Sequence, residues 1–291
     1  MFVIGDVVID FTVKTSGILP SESVVYLEDL PQTQAGVAGN IGWYLTQLGA
    51  KVSLCAAVGR DEWGSQIVSD LDNIGIDTAN INVVDGSTGF FIILVEQNGN
   101  RRMIGSRGAN RGLKINSQQI LNQDPDWVHL SGYVMLNKNG LEILREVKKA
   151  VKQRGIGYSI DIEGIAYTKK RLNLEDALIL CNSEEFKEYY GKAGVDSDAK
   201  VIVKAGPEGA FVYTDGNRIH IPTIPQKAVD TTAAGDAFNA GMIYSVLKHK
   251  DLVDACRFAN AVATHKVKFM GARAVLNMVE IQKIYEILSR S

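Results

Sequence analysis

The run Asp230-Thr231-Thr232-Ala233-Ala234-Gly235-Asp236-Ala237-Phe238, continuing to Ala240-Gly241, holds the residue types best suited to chemistry. Ala233, Ala234 and Gly235 are small enough to let backbone approach a ligand. An apolar stretch follows and predicts a helix, whose first N–H groups have no partner inside it. The helix dipole favours an anion there, so the turn is suited to cradling a phosphate. Asp236 lies in the middle of that positive field, where a carboxylate can take a proton from a hydroxyl attacking phosphorus. Asp is also a favoured helix cap, and the turn alone does not separate the two roles.

Other polar residues sit where strands or helices should end. Phe2-Val3-Ile4-Gly5 predicts a first buried strand with Asp6 and Asp10 beyond it. Ligands of open α/β sheets bind at the carboxyl ends of strands, so Asp10 is placed either to grip a hydroxyl or to be a solvated loop acid. Ala35-Gly36-Val37-Ala38-Gly39-Asn40 opens a helix that should run to Leu48. Gly36 allows close backbone approach, and the Asn40 amide can both donate to and accept from a polyol. Gly108-Ala109-Asn110 follows Arg101, Arg102 and Arg107, which either meet an anion or form an ordinary solvated charge group. Asn182-Ser183-Glu184-Glu185 reads as a capped helix start, or as a place where Glu185 orders waters around a magnesium ion. Gly206-Pro207-Glu208-Gly209 turns one strand into the next. Lys204 just before it either touches a phosphate or points outward. Asn260 lies in a helix of small residues, where it either meets a ligand or serves a core hydrogen bond.

The elements that must position these residues alternate. Strands are predicted at Val52 to Val58, Trp127 to Gly132, Tyr158 to Asp161, Ala177 to Cys181, Lys200 to Ala205 and Ala210 to Thr214. Between them come helices, including 139–154 with an apolar face of Leu141, Leu144, Val147 and Val151. Asp61 is a good N-cap for the helix ending near Gly75. The helix after Asp236 is apolar all round, which predicts burial. This alternation predicts an α/β fold: a mostly parallel sheet covered on both faces, with right-handed crossovers. Residues 11–36 break the pattern with short apolar pieces. Thr88 to Val95 and Arg101 to Ile104 flank Gln97-Asn98-Gly99-Asn100, a strong hairpin signal. Together these segments predict a small β sheet outside the core.

Composition narrows the classes. The chain has 291 residues and a net charge of -2, so it carries no electrostatic footprint for nucleic acid. Its longest apolar run, Phe90 to Val95, is far below a membrane span. The start lacks the basic-then-apolar pattern of a signal peptide. Cys55, Cys181 and Cys256 are scattered without CxxC spacing, as expected of reduced thiols in a cytoplasmic protein. The four histidines show no metal-ligand spacing.

The Asp-Thr-x-Ala-Ala-Gly-Asp-x-Phe stretch with Ala240-Gly241 resembles the second signature of the ribokinase/PfkB family of carbohydrate kinases. Gly36, Gly39 and Asn40, with Gly49 and Gly59, resemble its first signature, although Ala35 and Gly42 depart from the usual residues. The resemblance runs from Asp10 to Gly271 with the motifs in family order. It implies a ribokinase-like three-layer α/β/α core forming one domain over 1–291, with a lid from about 11–36 and 87–105. It implies ATP-dependent phosphorylation of a hydroxyl on a small sugar or polyol, with Asp236 as base and an anion hole at residues 233–236. Asp10, Gly36, Asn40 and Asn110 would hold the acceptor. Asn182, Glu185, Lys204, Gly206, Gly209 and Asn260 would serve the nucleotide, with Glu185 near Mg2+. Relatives carry Asp-x-Asn-x-Arg at Asp161, and this chain lacks that Asn and Arg. A monovalent cation such as K+ near Asp230 and Gly271 is left open, as is a homodimer through lid edges. Two alternatives stand beside this reading: a nucleoside kinase of the same family, and a non-catalytic ligand-binding protein on the same fold. The intact Asp236 and its anion cradle speak against the second.

Overall fold

A computed structural model describes residues 1–15, 32–96, 101–166, 168, 171–191 and 193–290. The described strands are β1 (Phe2–Ile4), β2 (Val8–Thr15), β3 (Gln32–Ala35), β4 (Ser53–Cys55), β5 (Ala57–Gly59), β6 (Asn82–Val84), β7 (Gly89–Glu96), β8 (Arg101–Ser106), β9 (Trp127–Ser131), β10 (Gly157–Asp161), β11 (Ala177–Asn182), β12 (Lys200–Lys204), β13 (Ala210–Thr214) and β14 (Asn217–Ile221). The α-helices are α1 (Val37–Gln47), α2 (Glu62–Asn73), α3 (Ser117–Asn122), α4 (Gly140–Arg154), α5 (Glu163–Ala166), α6 (Ser183–Tyr190), α7 (Ala234–Leu247), α8 (Leu252–Lys266) and α9 (Met278–Ser289).

Eight strands form the central sheet in the order β14-β13-β12-β11-β10-β9-β1-β4. Pairing is parallel from β4 to β12 and antiparallel at β12-β13-β14. The parallel strands are buried on both faces and read as near-continuous apolar runs, as in Ala177 to Cys181. One face packs on α3, α4, α5 and α6 through Ile120, Leu144, Val147, Ile165 and Tyr189. The other packs on α1, α7, α8 and α9 through Ile41, Leu45, Ala240, Val262 and Ile281, with a satellite cluster around Phe238, Met242 and Cys256. Helix α7 is buried as its all-round apolar character requires. A Cβ at Gly241 would stand 3.0 Å from the Ala259 Cα, so α7 and α8 approach backbone to backbone.

A separate four-stranded sheet has the order β3-β2-β7-β8. Its inner pair, β2 and β7, is parallel, and each inner strand carries an antiparallel outer strand. This is the small sheet predicted outside the core, although β2 begins at Val8. Residues 16–31 and the hairpin tip at 97–100 lie outside the described residues. The run Val52 to Val58 is not one strand. Ala56 divides it into β4, in the central sheet, and β5, which pairs with β6 in a two-stranded sheet. An unbroken apolar run conceals that change of partner. No helix among the described residues is long and apolar enough to cross a membrane.

Candidate active site

The carboxyl ends of β10 and β12 lie beside the start of α7, through Asp161 and Lys204. Thr232 N–H and Oγ–H donate to Asp230 Oδ1 at 2.8 and 2.7 Å, and Gly271 N–H donates to Asp230 Oδ2 at 2.8 Å. Burial would raise the Asp230 pKa, but these bonds and the Lys266 charge outweigh it and hold the group at about 2. Ala233 then takes the left-handed conformation with φ 56°, a strained choice for a residue with a Cβ. Ala234 N–H donates to the Thr231 carbonyl at 3.1 Å. Of residues 233–236, the stretch expected to form an anion hole, Ala234 thus spends its N–H within the turn, and the first-turn N–H groups of Gly235 and Asp236 belong to the set that has no partner inside a helix. Burial lifts the Asp236 pKa to about 6, opposed by the Asn40 hydrogen bond and the Lys204 charge.

On the acceptor side, Asn40 Nδ2 donates to Asp236 Oδ2 at 2.8 Å. Its other end, Oδ1, is buried without a partner among the described residues, and so is Asp10 Oδ1. Asp10 is only 8% exposed, yet it lies on β2 of the small sheet rather than in a loop. Burial and then the Asp236 charge raise its pKa to about 7, against the pull of Arg273. Phe91 on β7 is in register with Asp10 and shares its face of that sheet. Gly36 has φ 90°, and a Cβ there would lie 2.5 Å from the Asp6 carbonyl. Glycine is thus required to bring the start of α1 against the end of β1.

Asn110 lies apart from this set. It is fully buried, bonded to both the N–H and the carbonyl of Val7 and to the Arg107 carbonyl. Its amide anchors the passage from β1 to β2. Arg107 is neither solvated nor open to an anion, because it forks onto Asp6 at 2.6 and 2.8 Å and donates to Asn137 at 2.9 Å.

On the other side, a cavity of about 210 Å³ is lined by Lys204, Gly206, Gly209, Gly235, Asn260 and Thr264, among others. Gly206 faces open space. A Cβ on Gly209 would meet the Ile221 carbonyl at 2.2 Å, so this glycine serves the chain's own packing. Asn260 borders the cavity, but its Nδ2 is bonded to the Ile221 and Pro222 carbonyls. Lys204 points inward, to Asp161 Oδ2 at 2.5 Å and Asn239 Oδ1 at 3.2 Å. Burial would discharge it, but Asp161 outweighs burial and keeps it charged. A Cβ on Gly235 would sit 3.6 Å from its Nζ, which puts the ammonium beside the anion turn.

Asn182 and Glu185 form a reciprocal capping box at the start of α6. Burial raises the Glu185 pKa, and Asp161 raises it further. Among the described residues no three His, Cys, Asp or Glu side chains form a metal-holding group. Asn182 and Glu185 offer oxygen atoms, the ligand type Mg2+ takes together with waters and phosphate oxygens. Three residues of the site carry no local sequence signal. Asn239 donates to Asp161 Oδ2 at 2.6 Å, Arg273 faces Asp10 and Gly39, and Lys266 reaches the Asp230 loop.

A parallel α/β core, a second sheet bearing a buried acid, and a carboxylate in the first turn of α7 fit a phosphotransferase with an alcohol group as acceptor. The model of the pfkB family of carbohydrate kinases matches residues 1–277, and the chain belongs to that family. An uncharacterised sugar kinase from Archaeoglobus fulgidus is 30% identical, over 79% of this chain and 96% of its own length. An ATP-dependent ribose-1-phosphate kinase from Halopiger xanaduensis is 28% identical, over 93% and 92%. A nucleoside kinase from Methanothermobacter thermautotrophicus is also 28% identical, over 94% and 91%. The ribokinase of Arabidopsis thaliana, solved with ribose and ATP, superposes with a TM-score of 0.84 at 21% identity, covering 98% of both chains.

Proposed function

We propose that the chain transfers the terminal phosphoryl group of ATP to a hydroxyl of a small neutral polyol, a sugar in the first instance. The observation that carries this is the pair of buried acceptor atoms, Asp10 Oδ1 and Asn40 Oδ1, beside Asp236. A buried oxygen without a donor is costly, and acceptor hydroxyls would satisfy both. Asn40 holds Asp236 by one oxygen, and Asp236 Oδ1 receives the proton of the attacking hydroxyl. Gly235 and Asp236 amides, with the Lys204 ammonium behind them, stabilise charge on the transferring group. The nucleotide lies along the cavity by Gly206, Gly209 and Asn260. Magnesium, when bound near Asn182 and Glu185, would supply neutralisation of phosphate charge. The small sheet acts as a lid that excludes water. The monovalent cation that the resemblance attaches to the Asp230 and Gly271 loops is no part of this reading, because a buried ammonium already lies at the Asp230 carbonyl.

Phe91 on the Asp10 face favours a second acceptor class, nucleosides, since a base stacks on an aromatic ring. The test is ATP consumption with Mg2+ across sugars, sugar acids, sugar phosphates, inositols and nucleosides, with Asp236→Asn beside the wild type. The expected result is turnover on one class and a loss of about 10²–10⁴-fold in the mutant. Near-normal turnover by Asp236→Asn would overturn the assignment of the base.

A further inference from the structure

Lys266 is the last residue of α8 and is fully buried. A lysine at a helix end ordinarily caps that helix's own carbonyls or runs its stem out to water. Lys266 does something else. Its Nζ crosses to another loop and donates to the Asp230 carbonyl at 2.8 Å. Burying an ammonium is expensive unless the protein supplies compensating oxygen dipoles and charge. Here it supplies the Asp230 carbonyl, and both carboxylates of the motif, Asp230 and Asp236, feel the Lys266 charge.

The ammonium also sits where two segments are stitched together. Val229 and Asp230 N–H groups both donate to the Val267 carbonyl, at 2.8 and 3.2 Å. Gly271 N–H donates to Asp230 Oδ2. Directly downstream, Thr231 accepts from Ala234, and Ala233 holds its left-handed conformation to aim the first-turn amides. The turn is thus held at its upstream end by these bonds together, and the Asp230 carbonyl is the point drawn onto a positive charge. A cation drawn to that carbonyl would have to displace the ammonium.

We propose that Lys266 is a tethered monovalent cation, a positioning residue whose ammonium fixes the Asp230 loop and so the anion turn. The chain then needs no dissociable K+ or NH4+ for catalysis. This rests on the phosphotransferase reading for its kinetic test, but not for its stability test.

Both tests compare wild type with Lys266→Ala, and with Lys266→Ser, which also leaves room for a cation, where the alanine variant folds poorly. Each runs in KCl, NH4Cl and tetramethylammonium chloride at equal ionic strength. Wild-type turnover should change less than about twofold between salts. The alanine variant should fall by about tenfold or more in kcat in tetramethylammonium, with K+ or NH4+ restoring most of it. Thermal unfolding should follow the same pattern, with K+ raising the variant's melting temperature and leaving the wild type unmoved. A wild type that needs K+ would overturn the proposal, and so would a variant that no cation restores or that stays fully active without one. If the wild type phosphorylates nothing, the kinase reading fails alone. The melting arm then still decides: a K+ shift confined to the variant supports the tethered cation, and equal shifts in both proteins remove it.

Discussion

At the scale of single residues, the proposed chemistry rests on how burial sets two acids apart from ordinary carboxylates. Asp10 is lifted to about 7 and Asp236 to about 6, burial being the largest cause in each. Both act as anions in the proposed reaction, so activity is lost as pH falls through those values. The acid limb of kcat/KM should steepen from a slope of about one to about two between pH 7 and 5. Asp10→Asn should remove the upper step. A limb with a single step near 4 would mean that neither acid is needed in ionised form. Ala233 offers a second check. Glycine relieves a positive φ at little steric cost, so Ala233→Gly should stabilise the protein by up to about 1 kcal/mol in chemical denaturation. The sequence marked Asp236, Asn40 and Asp10 as candidates, through two motifs and a strand end, and the structure brings the three together. Sequence alone could not decide Asn260, Asn110 or Arg107, whose partners are backbone groups or side chains far along the chain.

At the scale of elements, the small sheet is joined to the core by a charged clamp. Arg107 follows β8, and Asp6 follows β1. Their bidentate pair is largely buried, with side-chain exposures of 14% and 7%. Arg107→Ala would strand the Asp6 carboxylate and should cost about 3–5 kcal/mol in urea unfolding. Asp6→Asn with Arg107→Ala should cost less than the two single changes added together. A second test addresses the α7–α8 contact. Gly241→Val would push a branched side chain against the Ala259 backbone and should destabilise by about 1–3 kcal/mol. The alternation of strands and helices was legible because period and punctuation agree over long stretches. The split at Ala56 was not, since β4 and β5 read as one apolar run and differ only in their partners.

At the scale of the whole molecule, the residues proposed to hold the acceptor come from two bodies: Asp236 and Asn40 from core helices, and Asp10 from the small sheet. If that sheet closes as a lid, acceptor and nucleotide together should slow amide hydrogen exchange in β2 and β7 more than in β10 or β11. Equal protection in all four strands would argue for a site already closed.

The parallel pairing of β2 with β7 carries a last consequence, for folding order. Parallel neighbours cannot be linked by a tight turn, and here α1, β4, β5, α2 and β6 all intervene. The face of the small sheet that carries Asp10 therefore cannot assemble from nearby chain. It waits until α1, β4, β5, α2 and β6 have docked, and non-local strand pairing of this kind is slow. During refolding, the capacity to hold the acceptor should emerge after the helices and central strands have formed.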